Sequence, residues 1–416
     1  MPQGLEYCEH LFYNRIMDGF EKLGLLEELP SDELDGNERA LMAAPAVYRV
    51  ACQPASFSGT GNPLKDPIRQ NIHRAILPGG GSIPLLKTMQ TSICENNCRY
   101  CAFRAGRDFR RVTFSPDEMA MTFLALQRAG VVEGLFLSSG VVNGGGATQD
   151  HILATAELLR KRHRYSGYLH LKLMPGLQKA QLEQAIILAD RVSINLESPN
   201  PVRLAQLAPR KAFHEELLKP FEWLAAMRKE LDPLRAWRGH WPSITTQFVV
   251  GGVGESDLEL LQTTDHLRKE YQLSRAYFSG FKPVNKTPLE AVPRVDPWRV
   301  FRLYQASYLI RDYGYGVQEL TLGADQNLPV DQDPKVTWAD QHLADNPVEV
   351  NHAGRQELLR IPGIGPLGAS RVLRERARGS RLTEAGQLDK LGIQAERALP
   401  YILLNGRRPV SQPALF

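Results

Sequence analysis

Along this chain, short apolar runs alternate with longer stretches whose apolar residues recur three or four apart. Between residues 82 and 290 the runs predict six strands, at 85–91, 134–140, 168–174, 191–196, 244–250 and 275–281, separated by helical segments. One helix start is explicit. Ser115 is placed as N-cap, Pro116 in the first turn and Glu118 as the far half of a capping box. Strands that alternate with helices over about 200 residues predict a single α/β domain built on a parallel sheet. Residues 1–81 read as a helical and loop extension, with a Gly/Ser/Pro-rich stretch at 54–81 whose role the pattern does not define. Residues 291–345 read as helices followed by an acidic connector holding Asp325, Asp331, Asp333, Asp340 and Asp345. A small all-α domain follows at 346–408, with a tail at 409–416.

Composition changes this picture little, and charge changes it at one end. A 43% hydrophobic content is ample for large cores, and no uninterrupted apolar run is long enough to span a membrane. The chain carries a formal +4, yet residues 351–408 alone hold 11 Lys or Arg against 5 Asp or Glu, a net +6. The remainder is therefore neutral to slightly acidic. That basic segment contains Leu358-Leu-Arg-Ile-Pro-Gly-Ile-Gly-Pro-Leu-Gly-Ala-Ser-Arg-Val-Leu373, an apolar helix end, a turn at Gly363-Ile364-Gly365 and a second helix with small Ala369. It resembles the helix-hairpin-helix motif. The glycines permit the tight turn, the amides at the next helix start can face a phosphate, and Arg371 and Arg374 lie on that helix. Such a motif grips the backbone of DNA, or of RNA, with little sequence information. A helical hairpin that packs against the barrel or against another protein is the alternative. Residues 388–404 look like a second, degenerate copy without the paired glycines.

Candidate chemistry concentrates in Thr91-Ser-Ile-Cys-Glu-Asn-Asn-Cys-Arg-Tyr-Cys-Ala-Phe103, which holds three of the five cysteines. A structural zinc site needs four ligands, and no fourth stands near Cys94, Cys98 and Cys101; His73 and His163 are not implied by spacing. Disulfides fit poorly, because the count is odd and no apolar leader is visible, so a reducing cytoplasm is expected. Cys8 and Cys52 read as bystanders, with Cys52, nearer in sequence to the cysteine loop, also a candidate for more. Three thiolates on one loop can instead hold three irons of a 4Fe-4S cube and leave the fourth open.

This C-x₃-C-x₂-C spacing, with Tyr100 before the third cysteine, resembles the radical S-adenosylmethionine (SAM) superfamily. The resemblance implies a partial (β/α)₆ TIM-type barrel, a 4Fe-4S cluster on Cys94, Cys98 and Cys101, and SAM chelating the open iron. It also implies an unidentified one-electron donor and cleavage of SAM to methionine and a 5′-deoxyadenosyl radical. Residue by residue it implies cofactor contacts from Tyr100, from Ser138, Ser139 and Gly140 at the second strand end, and from Asn195 and Glu197, two apart and so on one side of an extended strand. Lys172 and the Gly251 to Glu255 turn are further candidates. An ordinary Ser/Gly turn, a solvated lysine and a plain Gly-Gly turn remain the alternatives. Arg99, Arg104, Arg107, Arg110 and Arg111 around the cluster loop read either as solvated surface or as phosphate receptors.

Taken together, the chain resembles radical SAM proteins assigned to DNA modification or repair that carry a C-terminal helix-hairpin-helix. The strings that carry this are Gly134-Leu-Phe-Leu-Ser-Ser-Gly-Val-Val142, Gly167-Tyr-Leu-His-Leu-Lys172, Lys282-Pro-Val-Asn-Lys286, Arg302-Leu-Tyr-Gln-Ala306 and Asp331-Gln-Asp-Pro-Lys335, with the terminal hairpin. The implied substrate is DNA. A radical enzyme acting on tRNA or a small molecule, and a DNA-binding protein whose cluster only senses redox state, are the other readings.

Overall fold

The computed structural model describes residues 19–26, 71–76 and 81–409. Most of the N-terminal extension, with Cys8 and Cys52, and the tail beyond residue 409 lie outside the described residues. The described residues divide into two units, those up to 255 together with 266–300, and 256–265 together with 301–409.

The first unit is built on a seven-stranded sheet in sequential order, β1 to β7. Its strands are β1 (Ile72–Ile76), β2 (Ser82–Met89), β3 (Gly134–Ser138), β4 (Tyr168–Lys172), β5 (Arg191–Ser193), β6 (Ser243–Val250) and β7 (Arg275–Gly280). All neighbours from β2 to β7 are parallel, and helical segments carry the chain between them, as parallel pairing requires. The result is a curled half-barrel of α/β type. β1 is the one antiparallel member, pairing Ile72 with Leu86 and Ile76 with Ser82. It lies in the stretch read from sequence as loop. Its five residues gain their partners only from β2, which local pattern cannot reveal.

Alternation along the parallel strands sorts the side chains into two faces. Leu86, Leu135, Leu169 and Val192 are fully buried on one face, the Leu-rich seam expected of a sheet covered by helices. The helix Pro116–Arg128 contributes Met119, Ala120, Phe123 and Leu126 to this layer and begins with the capping box expected from sequence. Glu118 donates its amide to Ser115 Oγ at 3.2 Å, and Ser115 donates its amide to Glu118 Oε2 at 3.0 Å. The other face is polar. Register places Lys87, Phe136, His170 and Arg191 in one row and Lys172, Ser193, Thr245 and Arg275 in the row above.

The second unit packs two helical hairpins, Arg355–Arg360 with Pro366–Ala377 and Ala385–Lys390 with Ala395–Ala398, around Leu358, Ile361, Ile364, Val372, Leu388 and Ile393. Ala339 and Leu343, from the stretch read as connector, belong to the same core. The all-α expectation is corrected by a short parallel pair, β8 (Val348–Glu349) with β9 (Ile402–Leu403), which ties the two ends of the hairpin region together. Gly363 has φ +84°, and a Cβ there would lie 2.4 Å from the Gln394 carbonyl, so the hairpins meet at a point that admits only glycine. In the second hairpin Gly392 takes the matching left-handed conformation, φ +69°, while Gln394 stands where the paired glycine would be.

Candidate active site

The loop after β2 carries the three cysteines and is fixed to its surroundings by backbone pairing. Gly140 donates to Thr91 O at 2.7 Å, Glu95 to Val141 O at 2.8 Å and Arg99 to Leu207 O at 2.8 Å. Gly140 is required by its close packing, since a Cβ would meet the Ile93 carbonyl at 2.0 Å. Three of the clustered arginines are half-buried and turned to backbone carbonyls. Arg111 donates to the carbonyls of Ser92, Phe103, Arg104 and Arg107, Arg104 to those of Cys98 and Asn97, and Arg107 to those of Ala102 and Asn285. They clamp the loop's carbonyls, which a loop without regular structure must satisfy somehow. Arg110 is exposed, 3.7 Å from Glu21, and Arg99 is exposed as well.

One open cavity at the C-terminal strand ends brings most of the expected residues together. Cys94, Cys98 and Cys101 line it with Tyr100, Ser138, Ser139, Gly140, Lys172, Asn195 and Glu197. None of the three cysteines is in a disulfide. Two accept amide hydrogen bonds at 3.4 Å, Cys94 Sγ from Val141 and Cys101 Sγ from Phe103. Such bonds to the cysteine sulfurs tune the potential of a cluster held there. Among the described residues no three of His, Cys, Asp and Glu converge tightly enough for a single metal ion. Ligands of one tetrahedral zinc would have to approach to about 4 Å of each other; thiolates at three corners of a cube stand farther apart.

Two polar atoms in this cavity fit a polar ligand. Ser139 Oγ and Glu197 Oε2 are buried without a hydrogen-bond partner, which is costly unless a bound group satisfies them. Glu197 is in the left-handed region, φ +66°, so the extended strand ends before it. Hydrogen bonding to Gln247 O and from Val249 N holds it in place of the regular ladder. Its other oxygen accepts from Lys211 Nζ at 2.7 Å, and both side chains are nearly inaccessible. Lys172 is buried, not solvated. In the row beneath the cavity His170 is held neutral, its pKa lowered by burial first and then by Arg191, Lys172 and Lys87.

Gly251 and Glu255 are not among the residues that line the cavity. Glu255 accepts the amides of Gly251 and Val253 and so closes the turn after β6. Val249, two residues earlier, lines a neighbouring recess with Tyr100, Cys101, Gln247 and Lys282. In the second unit Gly365 caps Pro366–Ala377, and Arg374 is exposed on that helix. Arg371 donates to Leu391 O at 2.8 Å and so braces the second hairpin. Sequence reasoning missed Lys211, which lines the cavity, and Asn71, buried just before β1 with an unpartnered Oδ1. A lone lysine in an Arg-Lys loop and an asparagine in a polar stretch carry no local signal.

Residues 89–267 match the family model described as the Radical SAM superfamily. Among solved structures the FeFe-hydrogenase maturase HydG from Carboxydothermus hydrogenoformans is 20% identical, with a TM-score of 0.41, over 54% of this chain and 51% of that one. Methylornithine synthase (PylB) is 13% identical, with a TM-score of 0.42, over 66% of this chain and 68% of that one. The radical SAM methyltransferase TsrM from Kitasatospora setae, solved with cobalamin and a [4Fe-4S] cluster bound, is 14% identical, with a TM-score of 0.37, over 49% of this chain and 38% of that one. This chain thus spans about half the length of the hydrogenase maturase. No curated protein matches it. The family match thus covers residues 89–267, under half of the chain, and is to a radical SAM domain; that superfamily uses a 4Fe-4S cluster and SAM and requires an electron donor. No described helix is long and apolar enough to cross a membrane.

Proposed function

We propose that this protein is a radical SAM enzyme that modifies or repairs DNA. The observation that carries the chemistry is the single cavity in which Cys94, Cys98 and Cys101 face Ser139 and Glu197 with unpartnered buried oxygens. When bound there, the cluster and SAM supply a one-electron cleavage to methionine and a 5′-deoxyadenosyl radical that abstracts a hydrogen atom. The chain's own residues bind and orient. Cys94, Cys98 and Cys101 hold iron; Ser138, Ser139, Gly140, Lys172, Asn195 and Glu197 surround SAM; Tyr100 covers one side. Arg111 and its neighbours hold the loop's shape.

The DNA reading is supported by the second unit. Its paired hairpins resemble helix-hairpin-helix elements, and its net +6 over residues 351–408 suits a polyanion. A base in a duplex would have to be extruded to reach a cavity at strand ends. Reduced, reconstituted protein given SAM is expected to form 5′-deoxyadenosine, and Cys98→Ser to abolish it. Binding of duplex DNA, single-stranded DNA and tRNA across salt decides the substrate class: tRNA bound more tightly than either DNA at every salt concentration would overturn the DNA assignment.

A further inference from the structure

A second, open recess lies beside the cofactor cavity and shares Met89, Phe103 and Ser138 with it. Its remaining wall includes Asn71, Lys87 and Phe136. Antiparallel pairing of β1 with β2 and parallel pairing of β2 with β3 put Lys87 and Phe136 on the inward face of the half-barrel, and Met89 and Ser138 one step further along it. One such step is about 6.5 to 7 Å, so a group seated at Lys87 would leave an attached atom level with the cofactor cavity.

Three observations define what fits. Asn71 is 1% exposed and its Oδ1 has no hydrogen-bond partner, while its Nδ2 donates to Leu23 O at 3.4 Å. A donor on a ligand would satisfy it. The strands β1 to β7 contain no Asp or Glu, whereas Lys87, Lys172, Arg191 and Arg275 all stand on the inward face. The one carboxylate in the adjoining cavity, Glu197, is paired with Lys211, and a cation on this face can receive an anionic group. Phe103 and Phe136 supply aromatic walls, and the Lys87 ammonium lies 5.7 Å from the Phe136 ring centroid. Planar, aromatic-compatible ligands suit such walls.

We propose that this recess is the substrate subsite and takes a phosphate-bearing nucleotide unit, its phosphate at Lys87 and an N–H or O–H donor at Asn71 Oδ1. The nucleotide identity rests on the DNA reading above. The four 2′-deoxynucleoside 5′-monophosphates, their nucleosides and orthophosphate are titrated calorimetrically into the cluster-loaded full-length protein, with duplex DNA in parallel. At least one monophosphate is expected to bind about tenfold more tightly than its nucleoside, the worth of a charge-assisted hydrogen bond. Lys87→Met removes that difference, Lys87→Arg restores most of it, and Asn71→Leu weakens nucleoside and nucleotide alike. Lys161→Gln, an exposed site elsewhere, leaves all of it unchanged. Retained iron content shows that each variant is folded.

The proposal is overturned if wild type binds no monophosphate, if the phosphate advantage survives Lys87→Met, or if orthophosphate competes as well as the nucleotide. Duplex DNA bound without any monophosphate discards the subsite and leaves the DNA reading standing. Monophosphate bound with no affinity for DNA does the reverse.

Discussion

At the scale of single residues the site depends on a few close approaches with no slack. Gly140 faces a carbonyl 2.0 Å from where a Cβ would be, and Cys94 Cβ would lie 3.1 Å from the same point. Gly140→Ala must push the cysteine loop away, with a cost of about 1 to 3 kcal/mol for overpacking. The expected result is sharply reduced iron and sulfide per protein after reconstitution; full iron loading would contradict it. Lys211 and Glu197 form a nearly inaccessible pair. Lys211→Met leaves the carboxylate buried and unpaired, a destabilisation of about 3 to 5 kcal/mol in urea unfolding. The double variant Lys211→Met, Glu197→Gln should recover much of it, because no charge is then stranded. Gly140 was legible from its place in a Ser-Ser-Gly string after a strand. Lys211 was not, since it reaches Glu197 only through the turn of the chain after Pro201–Leu207.

Elements were legible where they announce themselves locally. The capping box at Ser115 and the six parallel strands follow from pattern, and their strand ends deliver the cysteine loop, Ser138 and Lys172 to one cavity. β1 and the two π-helical segments, Leu158–Arg162 and Phe213–Leu218, were not, because each exists through partners distant in sequence or through a one-residue excess in a helical turn. The Asp331-Gln-Asp-Pro-Lys335 string shows the same limit. Asp333 caps Pro334–His342 and accepts from Gln305 and Arg397, while Lys335 Nζ donates to Ile364 O at 2.6 Å, beneath the first hairpin. Burial lowers the Lys335 pKa to about 7, opposed by Asp333 and reinforced by Arg397 and Arg360; the Tyr313 ring covers it at 4.5 Å. Above about pH 7 the unfolded chain still holds a proton there that the folded unit has released. Unfolding then takes up a proton, so this residue's contribution grows more favourable as pH rises from about 7 toward the ordinary lysine range. Urea midpoints of wild type relative to Lys335→Met should climb from pH 7 to higher pH and be flat below it; a difference independent of pH would mean that Lys335 keeps its proton in the folded unit.

Across the whole molecule, charge is divided between the units in a way that only the terminal segment made visible in advance. Residues 351–408 are basic as a block, which composition shows directly. The basic inward face of the half-barrel was hidden, because Lys87, Lys172, Arg191 and Arg275 are spread over nearly two hundred residues and meet only through strand register. If the second unit holds DNA by its phosphates, affinity must fall with salt according to the number of phosphates neutralised. Arg371, Arg374 and Arg381 are exposed there; Arg371 also donates to a backbone carbonyl of the unit, as does the half-buried Arg376. Removing Arg374 and Arg381 should therefore lower the slope of log K against log salt by about 0.9 for each phosphate no longer neutralised, uniformly across DNA sequences. Arg371→Ala should instead destabilise the second hairpin, because the Leu391 carbonyl then has no guanidinium donor. Fluorescence titrations at several salt concentrations read the first effect and urea unfolding reads the second. An unchanged salt slope in the Arg374→Ala, Arg381→Ala double variant would mean that these two arginines neutralise no phosphate and that the charge is supplied by other residues.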